Sequence, residues 1–191
     1  TVVQTWHGCG LYKKVGHDVP DETAGYHRRL RRMAKHIDLF TSGSTTFTET
    51  VIRGAFGYTG DVMETGLARN DILLDEAART AANEKVRAFY GIDDKPPLVL
   101  FAPTFRNDGE TETMWFEDEA VKAALQRRFP GYKVFVRTHY MAKGASSQTA
   151  LDVTAYPDMQ ELLCAADVLV SDYSSCIWDF SLTEKPCFLY A

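Results

Sequence analysis

The sequence lacks the features that would assign it to several common classes of protein. No apolar run approaches the roughly 20 residues that a membrane-spanning helix needs. The four cysteines form no CxxC pair, and the histidines show neither HExxH nor HxxxH spacing. Because a DxD motif is lacking as well, we expect no metal ion held by the protein alone. A Mg²⁺ ion that arrives with a diphosphate uses few protein ligands and is compatible with these absences.

An excess of positive charge is lacking too. The formal net charge of −5 at pH 7 argues against a general nucleic-acid-binding protein, which is usually basic. One segment departs from this balance, since HRRLRRMAKH contains the cationic residues Arg28, Arg29, Arg31, Arg32 and Lys35. Two interpretations stay open for this segment: a solvated helix face, or a contact with anionic substrate or lipid headgroups.

What the chain does contain is an ordinary globular composition, with 191 residues of which 45% are hydrophobic. That length supports one good core, or one domain and a piece of another. The chain begins at Thr1 without a methionine and ends within an apolar run, PCFLYA, so we expect a fragment of a larger protein. Its cysteines lie mostly in apolar surroundings, which favours buried thiols and a reducing, cytoplasmic setting.

Short apolar runs alternate with longer amphipathic segments along the whole chain. The predicted strands are TVVQT, DLFTSG, DVMETG, PPLVLFAP, YKVFVRTH, ADVLVSD and PCFLYA. The predicted helices span residues 23–36, 44–56, 75–90, 116–129, 159–165 and 174–182. Gly91 is predicted to end the third helix as its C′ residue, and MAKGASSQTA is predicted to form a loop.

This alternation predicts an α/β fold with a mostly parallel, Rossmann-like sheet that carries helices on both faces. The runs LVLFA and VLV have no polar alternation, as is typical of strands covered on both sides. We expect a domain boundary near residue 38. Residues 1–38 would be the end of a preceding domain with a connecting helix, and residues 39–191 a single Rossmann-like domain.

Polar clusters follow six of the apolar runs: WHG, STT, LARND, PTFR, RTH and SDYSS. Ligands bind outside the carboxyl ends of the strands in an open parallel sheet, so we expect all six clusters to line one edge. The cationic residues expected there are His7, Lys13, Lys14, Arg69, Arg106, Arg137 and His139. The hydroxyl-bearing residues are Ser44, Thr45, Thr104, Ser174 and Ser175.

Helices are expected to start at this edge after TSGS and SDYSS, and helix N-termini attract anions. With the cationic and hydroxyl-bearing residues, they predict an anion site, and a diphosphate is the anion that fits best. Neither GxxxxGKS/T nor GxGxxG is present, which disfavours a P-loop kinase or a dinucleotide-binding protein. Structural explanations stay open for single residues. They are an ion pair of Arg106 with Asp108 or with a helix carboxylate, an ordinary N-cap at Ser174–Ser175, a turn-forming role for Asp172 and a surface position for His139.

Five motifs in order resemble those of one known family. They are TWHGCGLYKKVGHD, GLARNDIL, FAPTFRNDG, VRTH and SDYSSCIWDFSLTEKPCFLY, and they extend through nearly the whole chain. The set is similar to that of the CDP-glycerol glycerophosphotransferase family, the teichoic-acid primases and polymerases. The chain departs from the family pattern after WHG, where Cys9 and Gly10 replace the usual Thr-Pro.

The resemblance implies a GT-B-like fold of two Rossmann-like domains with the active site in the cleft. Residues 1–38 would belong to the acceptor-side domain and residues 39–191 to the domain that binds the nucleotide donor. The implied reaction moves a polyol phosphate, most simply glycerol phosphate, from a CDP-polyol to a hydroxyl of a lipid-linked or polymeric acceptor, and CMP leaves. Members of the family act peripherally at the cytoplasmic face of the cell membrane.

The resemblance also implies roles for the matched residues. His7 of the WHG is the candidate general base for the attacking hydroxyl. Arg106 and His139 bind the diphosphate, and His139 as imidazolium stabilises the leaving CMP. The other substrate-binding candidates are Lys13, Arg69, Asn70, Thr104, Arg137, Asp172, Ser174 and Ser175.

Two other functions stay open from the sequence. A GT-B glycosyltransferase that uses a nucleotide-sugar would share the fold and the diphosphate edge. A non-catalytic module that binds polyanions or lipid headgroups would instead depend on HRRLRRMAKH.

Overall fold

The chain divides into two units, Thr1–Asp71 (unit 1) and Ile72–Ala191 (unit 2). The structure, a computed structural model, describes residues 1–8, 10–20, 23–104, 118–138 and 150–189. Unit 1 contains the parallel strands β1 (Val3–Gln4), β2 (Leu39–Ser42) and β3 (Asp61–Glu64), in that order across the sheet. Its α-helices are α1 (Ala24–Ala34) and α2 (Thr45–Phe47), and α2 continues as a π-helix over Thr48–Ala55. Two 3₁₀ turns lie at Gly16–Asp18 and Ala68–Asn70.

The core of unit 1 lies between its sheet and the π-helix. It consists of Phe40, Phe47, Val51, Ile52 and Tyr58. Gly16 lets the 3₁₀ turn approach the end of the π-helix closely, because a Cβ atom there would lie 2.2 Å from the carbonyl oxygen of Ala55. Its φ of +59° also falls in the left-handed region that favours glycine.

Unit 2 is a larger α/β unit that begins within α3 (Asp71–Leu74). Its strands are β4 (Leu98–Phe101), β5 (Lys133–Val136), β6 (Ala150–Asp152), β7 (Val168–Ser171) and β8 (Cys187–Leu189). Its further helices are α4 (Glu76–Phe89), α5 (Glu119–Arg128), α6 (Met159–Ala165) and α7 (Cys176–Ser181). All strands are parallel in the order β6-β5-β4-β7-β8, so the order reverses between β4 and β7 as in a Rossmann fold.

Helices cover both faces of the unit 2 sheet, as the sequence predicted. Leu98 and Leu100 of β4 pack into a core that includes residues of α4, α6 and α7. The alternate residues, Val99 and Phe101, pack against α5 instead. Successive side chains of a strand point to opposite faces, so a strand buried on both sides needs the unbroken apolar run seen here.

Gly91 ends α4, which confirms the predicted C′ glycine. The N–H of Ile92 donates to the carbonyl of Arg87 at 2.9 Å, and the N–H of Gly91 donates to the carbonyl of Ala88 at 3.2 Å. These are the two hydrogen bonds of a Schellman motif, and the φ of +63° at Gly91 is the conformation that this motif requires.

Two expectations about organisation differ from the structure. The strand ends do not share one edge, because β1, β2 and β3 form a sheet of their own in unit 1. The predicted boundary near residue 38 therefore falls inside unit 1, where β1 pairs with β2. Strand pairing depends on contacts far apart in sequence, which local patterns do not encode.

The predicted loop MAKGASSQTA also ends in a strand, since Ala150–Asp152 forms β6 on the edge of the unit 2 sheet. This strand has only three residues, and they are exposed or half-buried, so its sequence has little apolar pattern that would predict a strand. Among the residues described, none of the helices is long and apolar enough to cross a membrane.

Asp167 ties the starts of β4 and β7 together, and its removal is expected to destabilise unit 2. Its Oδ2 accepts from the N–H of Leu98 at 2.9 Å and lies 3.6 Å from the buried guanidinium of Arg87, and its Oδ1 lies 3.7 Å from Lys185 Nζ. Asp167→Ala should lower the free energy of unfolding by about 2–3 kcal/mol, because the N–H of Leu98 loses its acceptor and the buried guanidinium of Arg87 loses its nearby negative charge. Urea unfolding measures this, with Asp167→Asn as the milder variant that keeps an acceptor for Leu98. A loss below about 0.5 kcal/mol for Asp167→Ala, the size of an ordinary surface substitution, would contradict the role.

Candidate active site

A hydrogen-bonded pair lies where the strand order of the unit 2 sheet reverses. Thr104 follows β4 and Asp172 follows β7, and these strands are neighbours. The N–H of Thr104 donates to Asp172 Oδ1 at 2.8 Å, and its hydroxyl donates to Oδ2 at 2.6 Å. Asp172 is only 4% exposed, so its side chain fixes the two strand ends against each other. The crevice at such a reversal is the usual ligand site of open α/β sheets.

The turn between Asp172 and α7 carries the two predicted serines. Ser174 Oγ accepts from the N–H of Cys176, the first residue of α7, at 3.4 Å, so it stabilises the turn that leads into this helix. Ser175 occupies the residue before α7, and its side chain makes no capping hydrogen bond to the described residues. Both serines are half-buried at the carboxyl edge of the sheet. The structure therefore brings Thr104, Asp172 and the serine turn to the same edge.

Arg137 follows β5 at this edge and is half-buried. Its Nη1 donates to the carbonyl oxygen of Tyr156 at 2.7 Å, which orients the guanidinium. Burial lowers the pKa of Arg137 from its usual value, and the groups of Tyr90, Asp158 and Cys176 act in the opposite direction. A desolvated guanidinium attracts an anion more strongly than one in open water.

In unit 1, His7 lies just beyond the end of β1 with an exposed side chain. The Trp6 ring lies beside the imidazole, with ring centroids 4.4 Å apart, and the N–H of Trp6 donates to Gln4 Oε1 at 2.9 Å. The φ of +54° at Trp6 is rare for a bulky residue and turns the chain sharply before His7. Arg69 Nη1 donates to the carbonyl oxygen of His7 at 2.7 Å. The backbone at His7 is thus held from two sides while its ring faces solvent.

The other predicted residues of unit 1 have different surroundings. Asn70 is 7% exposed and closes the 3₁₀ turn after β3, where its N–H donates to the carbonyl of Leu67 at 2.8 Å. Lys13 and Lys14 are exposed in the segment after β1. Arg69 therefore holds the backbone at His7, and Asn70 is buried in the same loop after β3. The substrate-binding roles of Arg69, Asn70 and Lys13 remain predictions.

Sequence reasoning missed one polar residue of this edge, Glu64. It ends β3, and Thr45 Oγ1 at the start of α2 donates to its Oε2 at 2.8 Å. The hydroxyls of Thr48 and Thr45 lower the pKa of Glu64 from its usual value. Its position near the end of the predicted strand DVMETG, just before Thr65 and Gly66, was the signal that could have revealed it.

Two predicted site residues, Arg106 and His139, lie outside the described residues, as does Cys9. In the described part of the chain, no group of three or more histidine, cysteine, aspartate and glutamate side chains could hold a metal ion. The cationic side chains of the segment HRRLRRMAKH, Arg28, Arg29, Arg31, Arg32 and Lys35, are all exposed on or next to α1.

The chain is similar to proteins of teichoic acid synthesis. A model of the family described as CDP-glycerol:poly(glycerophosphate) glycerophosphotransferase matches residues 1–191. The teichoic acid poly(glycerol phosphate) polymerase of Bacillus spizizenii is 30% identical over 207 residues, covering 100% of this chain and 51% of the relative. The teichoic acid ribitol-phosphate polymerase TarL of Staphylococcus aureus is 28% identical over 199 residues, covering 100% of this chain and 35% of the relative.

Solved structures of the wall teichoic acid polymerase TagF are similar in fold. One of them, a histidine-to-asparagine variant soaked with CDPG, matches with a TM-score of 0.81 and 28% identity, covering 99% of this chain and 49% of that chain. This likeness confirms the predicted GT-B-like α/β class. The chain spans between 35% and 51% of the length of these three proteins.

Proposed function

Because the chain belongs to the CDP-glycerol:poly(glycerophosphate) glycerophosphotransferase family, we propose that the protein transfers a polyol phosphate from a CDP-polyol to a hydroxyl group. The proposed donor is CDP-glycerol, and CMP is the leaving group. The proposed acceptor is a lipid-linked or polymeric chain in the synthesis of a teichoic-acid-like or capsular cell-envelope polymer. Unit 2 would bind the nucleotide donor, and unit 1 would bind the acceptor.

The observation that carries this proposal is the Thr104–Asp172 pair at the strand reversal of unit 2. It supports a donor site at this edge, because nucleotides bind at such reversals in open α/β sheets. Hydroxyl and N–H groups of the turn at Ser174 and Ser175 are suitable donors to phosphate oxygens. Arg137, half-buried at the end of β5, favours negative charge at the carboxyl edge of the same sheet.

Phosphoryl transfer depends mainly on positioning and on stabilising charge. The reaction breaks the bond between the transferred phosphorus and the oxygen bridging to CMP, and negative charge grows on CMP. Arg106 and His139 as imidazolium are proposed to neutralise this charge. Asp172 acts through the strand ends that it joins, so we assign it a positioning role.

On the acceptor side, His7 is the proposed general base. It would take the proton of the acceptor hydroxyl as the oxygen attacks the phosphorus, and imidazole is the side chain most often used for this at neutral pH. Arg69 positions His7 through the hydrogen bond to its carbonyl oxygen. Lys13 adds positive charge to the same end of the β1 segment, and Asn70 shapes the supporting loop.

A donor screen tests the proposal on the purified full-length protein. We expect CMP release to be fastest with CDP-glycerol, followed by CDP-ribitol, which the ribitol-phosphate relative makes the natural second donor. Turnover of a UDP-sugar, with no CMP released from either CDP-polyol, would establish the glycosyltransferase alternative instead. Vesicle binding without turnover of any donor would favour the non-catalytic module.

We also propose that the protein works peripherally at the cytoplasmic face of the membrane, where a lipid-linked acceptor would be available. The exposed cations of α1 support this, because Lys and Arg side chains near an anionic leaflet each contribute about 1 kcal/mol of attraction.

A further inference from the structure

Glu64 brings a negative charge to the edge of unit 1 that also carries His7. It pairs with Ser42 in the register of β2 and β3, so its side chain lies where β2 ends and α2 begins. The Thr45 hydroxyl donates to it at 2.8 Å. Its lowered pKa means that the group is ionised at neutral pH. Sequence reasoning had counted the start of this helix as an anion site, but the structure puts a carboxylate there.

An ionised carboxylate accepts hydrogen bonds and donates none. It has room for about four of them, of which Thr45 and Thr48 account for at most two. Within the described part of the chain, Glu64 forms no ion pair, and its side chain is exposed. The remaining lone pairs are therefore open to a ligand. A phosphate would be repelled by this charge, whereas a hydroxyl group would donate to it.

We infer that Glu64, oriented by Thr45, forms a subsite for the hydroxyl groups of the acceptor polyol, an inference that rests on the proposed function. His7 lies just beyond β1 and Glu64 is the last residue of β3, and the ends of these two outer strands are about 10 Å apart at a strand spacing of ~4.8 Å. Arg69 already reaches across this edge, from the loop after β3 to the carbonyl of His7. A polyol end has adjacent hydroxyls, so one can meet His7 while its neighbour donates to Glu64.

This subsite would separate the two substrates by charge. Phosphate groups of the donor bind at the unit 2 edge, where Arg137 lies, and uncharged hydroxyls bind at the unit 1 edge, where Glu64 lies. Glu64 would thus select a polyol end over a phosphorylated end of the acceptor, because a terminal phosphate would place two negative charges together.

The test uses the full-length protein with CDP-glycerol and a short glycerol-phosphate oligomer as acceptor. Glu64→Gln keeps the size of the side chain and removes its charge. We expect the KM for the acceptor to rise about 10- to 100-fold, since hydrogen bonds to charged groups are the stronger ones. The KM for CDP-glycerol and the slow hydrolysis of CDP-glycerol by water should change less than twofold. Glu49→Gln, another exposed glutamate of unit 1, is the matched control and should leave all three values unchanged.

Thr45→Val provides a second variant, which keeps the carboxylate but removes its hydrogen bond and should raise the acceptor KM less than Glu64→Gln. Calorimetric titration of the oligomer without donor gives a binding measurement that is independent of turnover. Absence of CMP release by the wild-type protein would overturn the proposed function and leave this titration to decide on the subsite. An acceptor affinity equal in wild type and Glu64→Gln, or no binding of the oligomer to wild type, would overturn the inference. The inference would also be overturned if Glu64→Gln raised the KM for CDP-glycerol as much as the KM for the acceptor.

Discussion

His7→Ala should abolish most turnover of the full-length protein while leaving its fold intact. A general base typically contributes about 10²–10⁴-fold, so we expect kcat to fall by that factor with little change in the KM for CDP-glycerol. The fold should survive because the imidazole is exposed and forms no hydrogen bond with the described residues, and such substitutions usually change stability by less than about 0.5 kcal/mol. CMP release under saturating donor measures the first effect, and thermal unfolding measures the second.

The matched control for this experiment is His36→Ala. His36 is also an exposed histidine of unit 1, but it follows α1 and lies away from the carboxyl ends of the strands. Its replacement should leave kcat unchanged. If folded His7→Ala retained near-wild-type turnover, the general-base role would have to be abandoned. If both variants lost turnover equally, the effect could not be assigned to the end of β1.

Asp172→Ala should weaken donor binding and destabilise unit 2 together. Thr104 would lose the acceptor for both its N–H and its hydroxyl, in a place where Asp172 is only 4% exposed. We expect the free energy of unfolding to drop by about 2–4 kcal/mol. Because the loop at Thr104 would lose its link to the end of β7, the Kd for CDP-glycerol should rise at least about 10-fold, a loss of ~1.4 kcal/mol.

Two further variants separate stability from binding at this position. Asp172→Asn retains one carbonyl oxygen to accept from Thr104, so it should recover part of the stability. Asp94→Ala removes an exposed aspartate from the turn after α4 and should affect neither quantity. Calorimetric titration with CDP-glycerol and urea unfolding give the two numbers. An unchanged Kd in folded Asp172→Ala would remove this residue from the donor site, and unchanged stability would contradict the hydrogen bonds described here.

Local features of the fold were predictable because they depend on residues close in sequence. The caps of α4 are an example, since Asp75 caps its first turn and Gly91 closes its last with a Schellman motif. The doubly buried strand at Leu98–Phe101 was recognisable from its unbroken apolar run. By contrast, β6 was missed because its three residues carry no apolar pattern, and the π-helix after α2 was missed because its extra residue per turn leaves no simple signal.

For the candidate site, the sequence predicted which residues lie at the strand ends but not which of them contact each other. Thr104, Asp172 and the serine turn follow strand ends, and parallel strands bring such ends to one edge. Pattern alone did not reveal that Thr104 and Asp172 bond to each other, nor that Arg69 holds the carbonyl of His7. Those contacts join positions 62 or more residues apart, so they exist only once the sheets have formed.

The sequence by itself determined the α/β class, the strand directions, the residue types at the strand ends and the membership in a family of polyol-phosphate chemistry. These follow from periodicity and from short motifs, each a property of neighbouring residues. Only the tertiary structure decided that the strand ends divide between two sheets, and that a glutamate lies at the start of α2. The physical reason is that strand pairing and the contacts between strand ends depend on distant segments, whose partners no local pattern specifies.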